Sequence, residues 1–176
     1  MISVPLRSIS KRVSGKTALH KQLAVACLMV AAHPFPLAAD DSERFFEGLA
    51  AFDGGDIAET VSIWSDLAET GHLQAIVGMA GLYLAGNGVP IDPSEAARLY
   101  RLAAKRGDSN GQLNLGRLYL TGVGVREDKA AAYAWLSLAA AQGRRWAEEK
   151  RLEIEPTLSA EERVEAETLV KAQEPN

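Results

Sequence analysis

Apolar residues recur at helical spacing from about residue 43 to residue 170, and nowhere alternate with the period of two that a half-buried strand needs. Over Gln74–Ala85 and again over Asn110–Thr121 they fall three and four apart, which predicts two amphipathic helices. Each helix runs into a glycine pair, Gly86-Asn87-Gly88 or Gly122-Val123-Gly124. Glycine accepts the left-handed backbone that ends a helix. Asp92 and Asp128 come next, each with a carboxylate able to accept from the free N–H groups of a following helix. In the first case Pro93 suits the opening helical position and Glu95 is placed to complete a capping box. The second helices are predicted over about Pro93–Arg106 and Lys129–Gln142, with Gly107 and Gly143 as their stops.

This pattern is a repeat of 36 residues. Gly71, Gly107 and Gly143 are spaced by that interval, which also joins Tyr83 to Tyr119, Gly88 to Gly124, Val89 to Val125 and Asp92 to Asp128. Ala96 and Ala103-Ala104 recur as Ala132 and Ala139-Ala140, small residues that let helices approach closely. A period of this length marks a solenoid, in which each unit buries its apolar face on its neighbours. An earlier, shorter unit runs through Gly48, Phe52, Asp56, Trp64 and Gly71, with Asp56 placed as a cap. After Gly143 the pattern loosens into a fourth, degenerate pair. Arg144–Glu155 carries Trp146, Leu152 and Ile154, Pro156 breaks it, and Ser159-Ala160-Glu161-Glu162 is a capping box opening a helix to about Lys171. Val164, Leu169 and Val170 are available there to pack. The expected fold is all-α, an α/α superhelical solenoid of helix-turn-helix repeats. Its parts are a tetratricopeptide-like unit (40–72), two full repeats (73–108 and 109–144) and a helical cap (145–176).

The run Gly116-x-x-Tyr119, Gly122-x-Gly124-Val125-x-x-Asp128, Ala132-x-x-Trp135, Ala139-Ala140-x-Gly143 resembles the signature of the Sel-one-like repeat (SLR) family of tetratricopeptide-like proteins. The unit from Gly71 to Gly107 carries the same signature, with Ala80 in the place of Gly116 and Leu99 in the place of Trp135. The resemblance reaches over residues 43–155. It implies an α/α superhelix and a protein–protein adaptor role, often in secreted or envelope-associated bacterial proteins. It brings no family-wide catalytic residue and no cofactor.

Charge divides the chain in two. Residues 1–39 carry Arg7, Lys11, Arg12, Lys16 and Lys21 and no acid, whereas residues 40–176 carry 14 basic against 23 acidic side chains, a net of −9. An acidic body disfavours nucleic acid and anionic lipid surfaces as partners. Within the basic segment, Leu23–Ala32 is an apolar run of 10 residues, about half of what a spanning helix needs. A basic stretch, a short apolar core and then Leu37-Ala38-Ala39 read as a secretory signal peptide cleaved after Ala39. The expected location is periplasmic or secreted, without a stable membrane span. Cys27, the single cysteine, falls in that segment, so residues 40–176 have no disulfide or thiol chemistry.

Candidate chemistry is sparse. His72 is the one histidine after residue 39 and stands at a helix start, where capping or exposure to solvent suits it better than catalysis or metal binding. Glu148-Glu149 and Glu161-Glu162 have basic neighbours and read as solvated helix faces rather than acid/base pairs. Trp64 and Trp135 read as core, and Trp146 as a seam to the cap in preference to an exposed anchor. No metal site is expected. The suggestive surface is a polar stripe of Asn110, Asn114, Arg117 and Thr121 on one helix face, beside Gln74, Gly78, Gly81 and Ala85 one repeat earlier. In superhelices of this kind the first helices line the concave side, so the stripe would border a shallow groove for a protein or peptide. The expected function is a non-enzymatic envelope adaptor. The alternatives are a cell-wall or β-lactam hydrolase and a peptidoglycan-binding accessory factor. Export predicts that intact-mass measurement on periplasmic protein finds a chain starting near Asp40; a full-length cytoplasmic product overturns it.

Overall fold

The structure is a computed structural model that describes residues 41–173. The expected signal segment and its cleavage point lie outside the described residues. Eight α-helices follow one another: α1 (Asp41–Gly54), α2 (Ile57–Glu69), α3 (Leu73–Ala85), α4 (Pro93–Lys105), α5 (Ser109–Thr121), α6 (Lys129–Ala141), α7 (Arg145–Ile154) and α8 (Ala160–Lys171). A single 3-10 turn, Glu155–Thr157, precedes α8, and the described residues contain no strand. Through α7 each helix packs on the next in sequence, which builds a solenoid with α1, α3, α5 and α7 as first helices and α2, α4 and α6 as second helices.

Side-chain caps open most of the helices. Asp56 accepts from Glu59 N–H at 3.1 Å, Asp108 from Gly111 at 2.7 Å and Asp128 from Ala131 at 2.9 Å. Each such cap is worth about 1 kcal/mol. His72 caps α3, its Nδ1 accepting from Ala75 N–H at 3.3 Å while its ring stacks on Phe45. The capping box expected at Asp92 and Glu95 does not form. Asp92 accepts from Ser94 and Glu95 N–H, both at 3.0 Å, but its own N–H is taken by the Tyr83 carbonyl. Glu95 therefore turns to Arg98, at 2.6 and 2.8 Å. Asp128 N–H is held in the same way by the Tyr119 carbonyl, so this bond folds the glycine loop of both full repeats. The box at Ser159 and Glu162 is made in both directions.

The core is held by a wedge. Trp64 of α2 stacks on Phe45 and Phe52 of α1 and is 6% exposed. A Cβ on Gly48 of α1 would stand 2.5 Å from its indole, and one on Gly78 of α3 would stand 2.6 Å from it. One repeat on, Tyr100 of α4 takes this place, and one further, Leu136 of α6 does so, 2.8 Å from where a Gly116 Cβ would lie. Trp135 is buried as expected, but it stands one position before the place that Trp64 holds and shares its own with Leu99. Repeats are also joined along the chain. Arg106 donates to the Gly71 carbonyl at 3.3 Å, and Gln142, 36 residues later, donates to the Gly107 carbonyl at 3.0 Å. Gly124 packs so tightly on the start of α4 that a Cβ would run into the Pro93 carbonyl.

The end of the solenoid differs from the expected fourth helix pair. α7 and α8 do not pack on each other; each docks separately on α6. Ala147 of α7 meets Leu136 and Ala139, while Ala166 of α8 meets Ala130 and Ala134. Leu169 and Val170 pack there as expected. Val164, expected to be available for packing, stays 65% exposed, and Leu152 on α7 is 53% exposed.

Two glycine contacts give measurable consequences. Gly78→Ala drives a methyl into the Trp64 ring, and Gly116→Leu overfills the contact with Leu136; each should cost roughly 1–3 kcal/mol. Gly54→Ala at the end of α1 meets nothing within 4 Å and should leave the melting temperature unchanged or raise it. Thermal melts of the three variants check this, and an unshifted Gly78→Ala melt would show that Trp64 is free to yield.

Candidate functional site

Gln74, Gly81 and Ala85 run along α3 on the side away from its buried Ala75, Ile76 and Met79, whereas the space beside Gly78 is filled by the Trp64 ring. Asn110, Asn114, Arg117 and Thr121 run along the corresponding side of α5. Gln74, Arg117 and Thr121 are exposed and the two asparagines half-buried. All five predicted residues thus lie on the face made by the first helices. The 36-residue spacing carries the stripe further than the sequence reading took it. Trp146, Lys150 and Glu153 of α7 follow Asn110, Asn114 and Arg117. Trp146 is 37% exposed, with the Lys150 ammonium 6.0 Å from its ring centre, and Lys150 also pairs with Glu153 at 2.6 Å. The expected seam role for Trp146 is therefore corrected: Ala147, the next residue, makes the seam.

Part of the stripe bonds to its own helix. Asn114 donates through Nδ2 to the Asn110 carbonyl at 3.0 Å, and Thr121 donates to the Arg117 carbonyl at 3.0 Å. Asn114 keeps its Oδ1 and one N–H for another molecule. Arg117 has no ion pair or hydrogen bond with any described residue, whereas Arg98, Arg145 and Arg151 are all paired with glutamates. Tyr100, which the sequence reading did not single out, rises between α3 and α5. Burial lifts its phenol above the usual value, and Arg117 is near enough to oppose that rise. Its hydroxyl is the one heavy atom within 4 Å of where a Gly81 Cβ would stand, at 3.8 Å. The signal for Tyr100 was the spacing itself, since it is 36 residues after Trp64.

Two cavities lie on the opposite side of the first helices. One of about 350 Å³ surrounds Tyr83, lined by Ser65, Glu95 and Arg98 among others. The other, about 790 Å³, surrounds Tyr119 and is lined by Arg101, Arg126, Lys129, Glu162 and Glu165, so both signs of charge are mixed in it. Arg101 fills part of its wall by donating to the Tyr119 hydroxyl at 3.0 Å. Glu148, which Arg151 holds below the usual carboxylate range, is a structural partner of that arginine and not one of an acid pair with Glu149. Among the described residues no group of three or more His, Cys, Asp or Glu is arranged to hold a metal ion. No described helix is long and apolar enough to cross a membrane.

Helix pairs stacked one on the next, two of them at a 36-residue period, define an α/α solenoid repeat protein. Residues 73–108 and 109–143 match the Sel1 repeat family. Among solved structures, a protective antigen present in uropathogenic Escherichia coli strains and displaying an SLR fold is 28% identical, with a TM-score of 0.71. That match covers 76% of this chain and 30% of the antigen, so the chain spans less than a third of its length. A Sel1 repeat protein from Oxalobacter formigenes is also 28% identical, with a TM-score of 0.60, over 77% of this chain and 98% of the other. No functionally curated protein matches the sequence at a significant level. Residues 73–143 are thus two Sel1 repeats, and proteins built from this repeat are typically protein-interaction scaffolds and generally non-catalytic.

Proposed function

We propose that this protein is an exported adaptor of the bacterial envelope that binds a partner protein on the face formed by α3, α5 and α7. The observation that carries this reading is Arg117: an exposed guanidinium, unpaired with any described residue, on a chain whose residues 40–176 have a net charge of −9. Arginine is frequent among binding hot spots because its planar head donates in several directions while its stem packs. Around it stand Asn110, Asn114 and Thr121, and one repeat earlier on α3 Gly81 has only the Tyr100 hydroxyl within 4 Å of where a Cβ would stand. Export rests on the basic, apolar, small-residue order of residues 1–39. That a neighbour of the same fold is a protective antigen of a pathogenic bacterium supports this setting.

The test is a crosslinking capture from envelope extract with the mature protein and with the double variant Arg117→Ala, Asn114→Ala. Helicity and melting should be nearly unchanged, since neither side chain belongs to the core. Capture of the same partner should fall roughly tenfold, about 1.4 kcal/mol. Unchanged capture would show that the stripe is solvated surface only.

A further inference from the structure

We infer that the cavity of about 790 Å³ around Tyr119 binds a small zwitterion, an anionic group joined by a short linker to an amine. The site lies on the opposite side of α5 from the polar stripe and does not rest on the adaptor reading. Its charges are sorted by element. Arg101 of α4, Arg126 of the loop before α6 and Lys129 at the start of α6 belong to one wall, and Glu162 and Glu165 of α8 form the other. Glu127 and Asp128 also stand on the first wall, which still keeps an excess of positive charge. No cation of α8 lines the cavity.

The repeat fold does not require these cations. The residues 36 positions earlier are Ser65, Pro90 and Pro93. The cavity there, about 350 Å³ around Tyr83, has a single cation, Arg98, already paired with Glu95. By contrast, Arg126 and Lys129 make no ion pair or hydrogen bond with any described residue. Arg101 donates only to the Tyr119 hydroxyl, at 3.0 Å, with its guanidinium 5.9 Å from the centre of that ring. Arginine has five N–H donors, so this contact fixes the head and leaves most of its donors open. On the acidic wall Glu162 accepts from the Ser159 N–H through one oxygen, and Glu165 is unpaired. Among the described residues no ion pair joins the two walls.

A cleft lined by charge focuses the field of its walls on whatever enters it. A plain anion gains from the cations and is repelled by Glu162 and Glu165, and a plain amine meets the reverse. A ligand that carries both groups gains at both walls, and such built-in repulsion is how a site discriminates. Arginine pairs bidentately with carboxylate and phosphate alike, so the experiment separates those two sources of the anion.

The full-length protein, isotope-labelled, is titrated by NMR at constant ionic strength with 4-aminobutyrate and with phosphoethanolamine. Butyrate, methyl phosphate and butylamine are the controls that carry one kind of charge. At least one zwitterion should give saturable shifts at the amides of residues 126–130 and 165. It should bind at least threefold more tightly than its own plain anion and than butylamine. Preference for 4-aminobutyrate assigns a carboxylate to the ligand, and preference for phosphoethanolamine a phosphate. Arg126 and Glu165 are exposed, so Arg126→Gln and Glu165→Gln should leave the melting temperature unchanged. Arg126→Gln should weaken zwitterion binding threefold or more. Glu165→Gln should bring the affinities of the zwitterion and its plain anion within twofold of each other, a change that lost packing would not produce. The inference is overturned if neither zwitterion gives saturable shifts, if a plain anion or butylamine binds as tightly, or if both variants bind and discriminate like the parent.

Discussion

The insertion of one large side chain from each second helix between two successive first helices sets the geometry on which the solenoid depends. At its first occurrence the side chain is Trp64, and the insertion is possible only because Gly48 and Gly78 present no Cβ to it. An aromatic side chain of this size buries about 150–250 Å², on the order of 4–6 kcal/mol before entropy is counted. Two neighbours fix its position. Its indole N–H donates to the Phe45 carbonyl at 3.4 Å, and the fully buried Thr60 one turn earlier bridges to the Gly48 carbonyl at 3.3 Å and the Asp56 carbonyl at 2.9 Å. Trp64 thus packs on both α1 and α3, with its polar braces on the α1 side.

The same place changes character along the chain, and the surface changes with it. Trp64 fills its slot and leaves nothing polar to show on the face of the first helices. Leu136 fills its slot against Gly116 and is wholly apolar. Tyr100 lies between them in sequence and is the one wedge whose far end is polar. Its hydroxyl lies 3.8 Å from where a Gly81 Cβ would stand, on α3. A residue chosen by packing thereby delivers a hydroxyl to the face.

Most of the helical architecture was legible because its signals are local. The glycine stops, the aspartate caps and the 36-residue interval each act within a few residues or repeat identically, and the helices begin and end where they indicate. What the sequence did not yield depends on long-range choices. Glu95 had the spacing of a capping box, but the Tyr83 carbonyl took the Asp92 N–H first. That Asn110, Asn114, Arg117 and Thr121 share one helix face was legible from helical periodicity alone. Trp146 was read as a seam because it is large and aromatic. Yet its register is that of Gln74 and Asn110, both on the outer face, while the small Ala147 has the inner place.

Small residues also explain how the solenoid closes. A further repeat would need α7 to offer a broad apolar face to a second helix of its own. Instead its faces are charged, and Arg151 ties it back to α6 by donating to the Tyr133 hydroxyl at 3.1 Å while pairing with Glu148 and Glu155. α8 therefore finds its apolar contact elsewhere. The start of α6 is a run of alanines, and Ala166 approaches Ala130 and Ala134 there with no side chain to keep the backbones apart. By lying across α6, α8 covers the side of the last full repeat that would otherwise template another second helix. It leaves α7 uncovered on the side that carries Trp146, Lys150 and Glu153. The cap thus ends the stack of second helices while the face of the first helices continues one helix further, with only two complete repeats behind it.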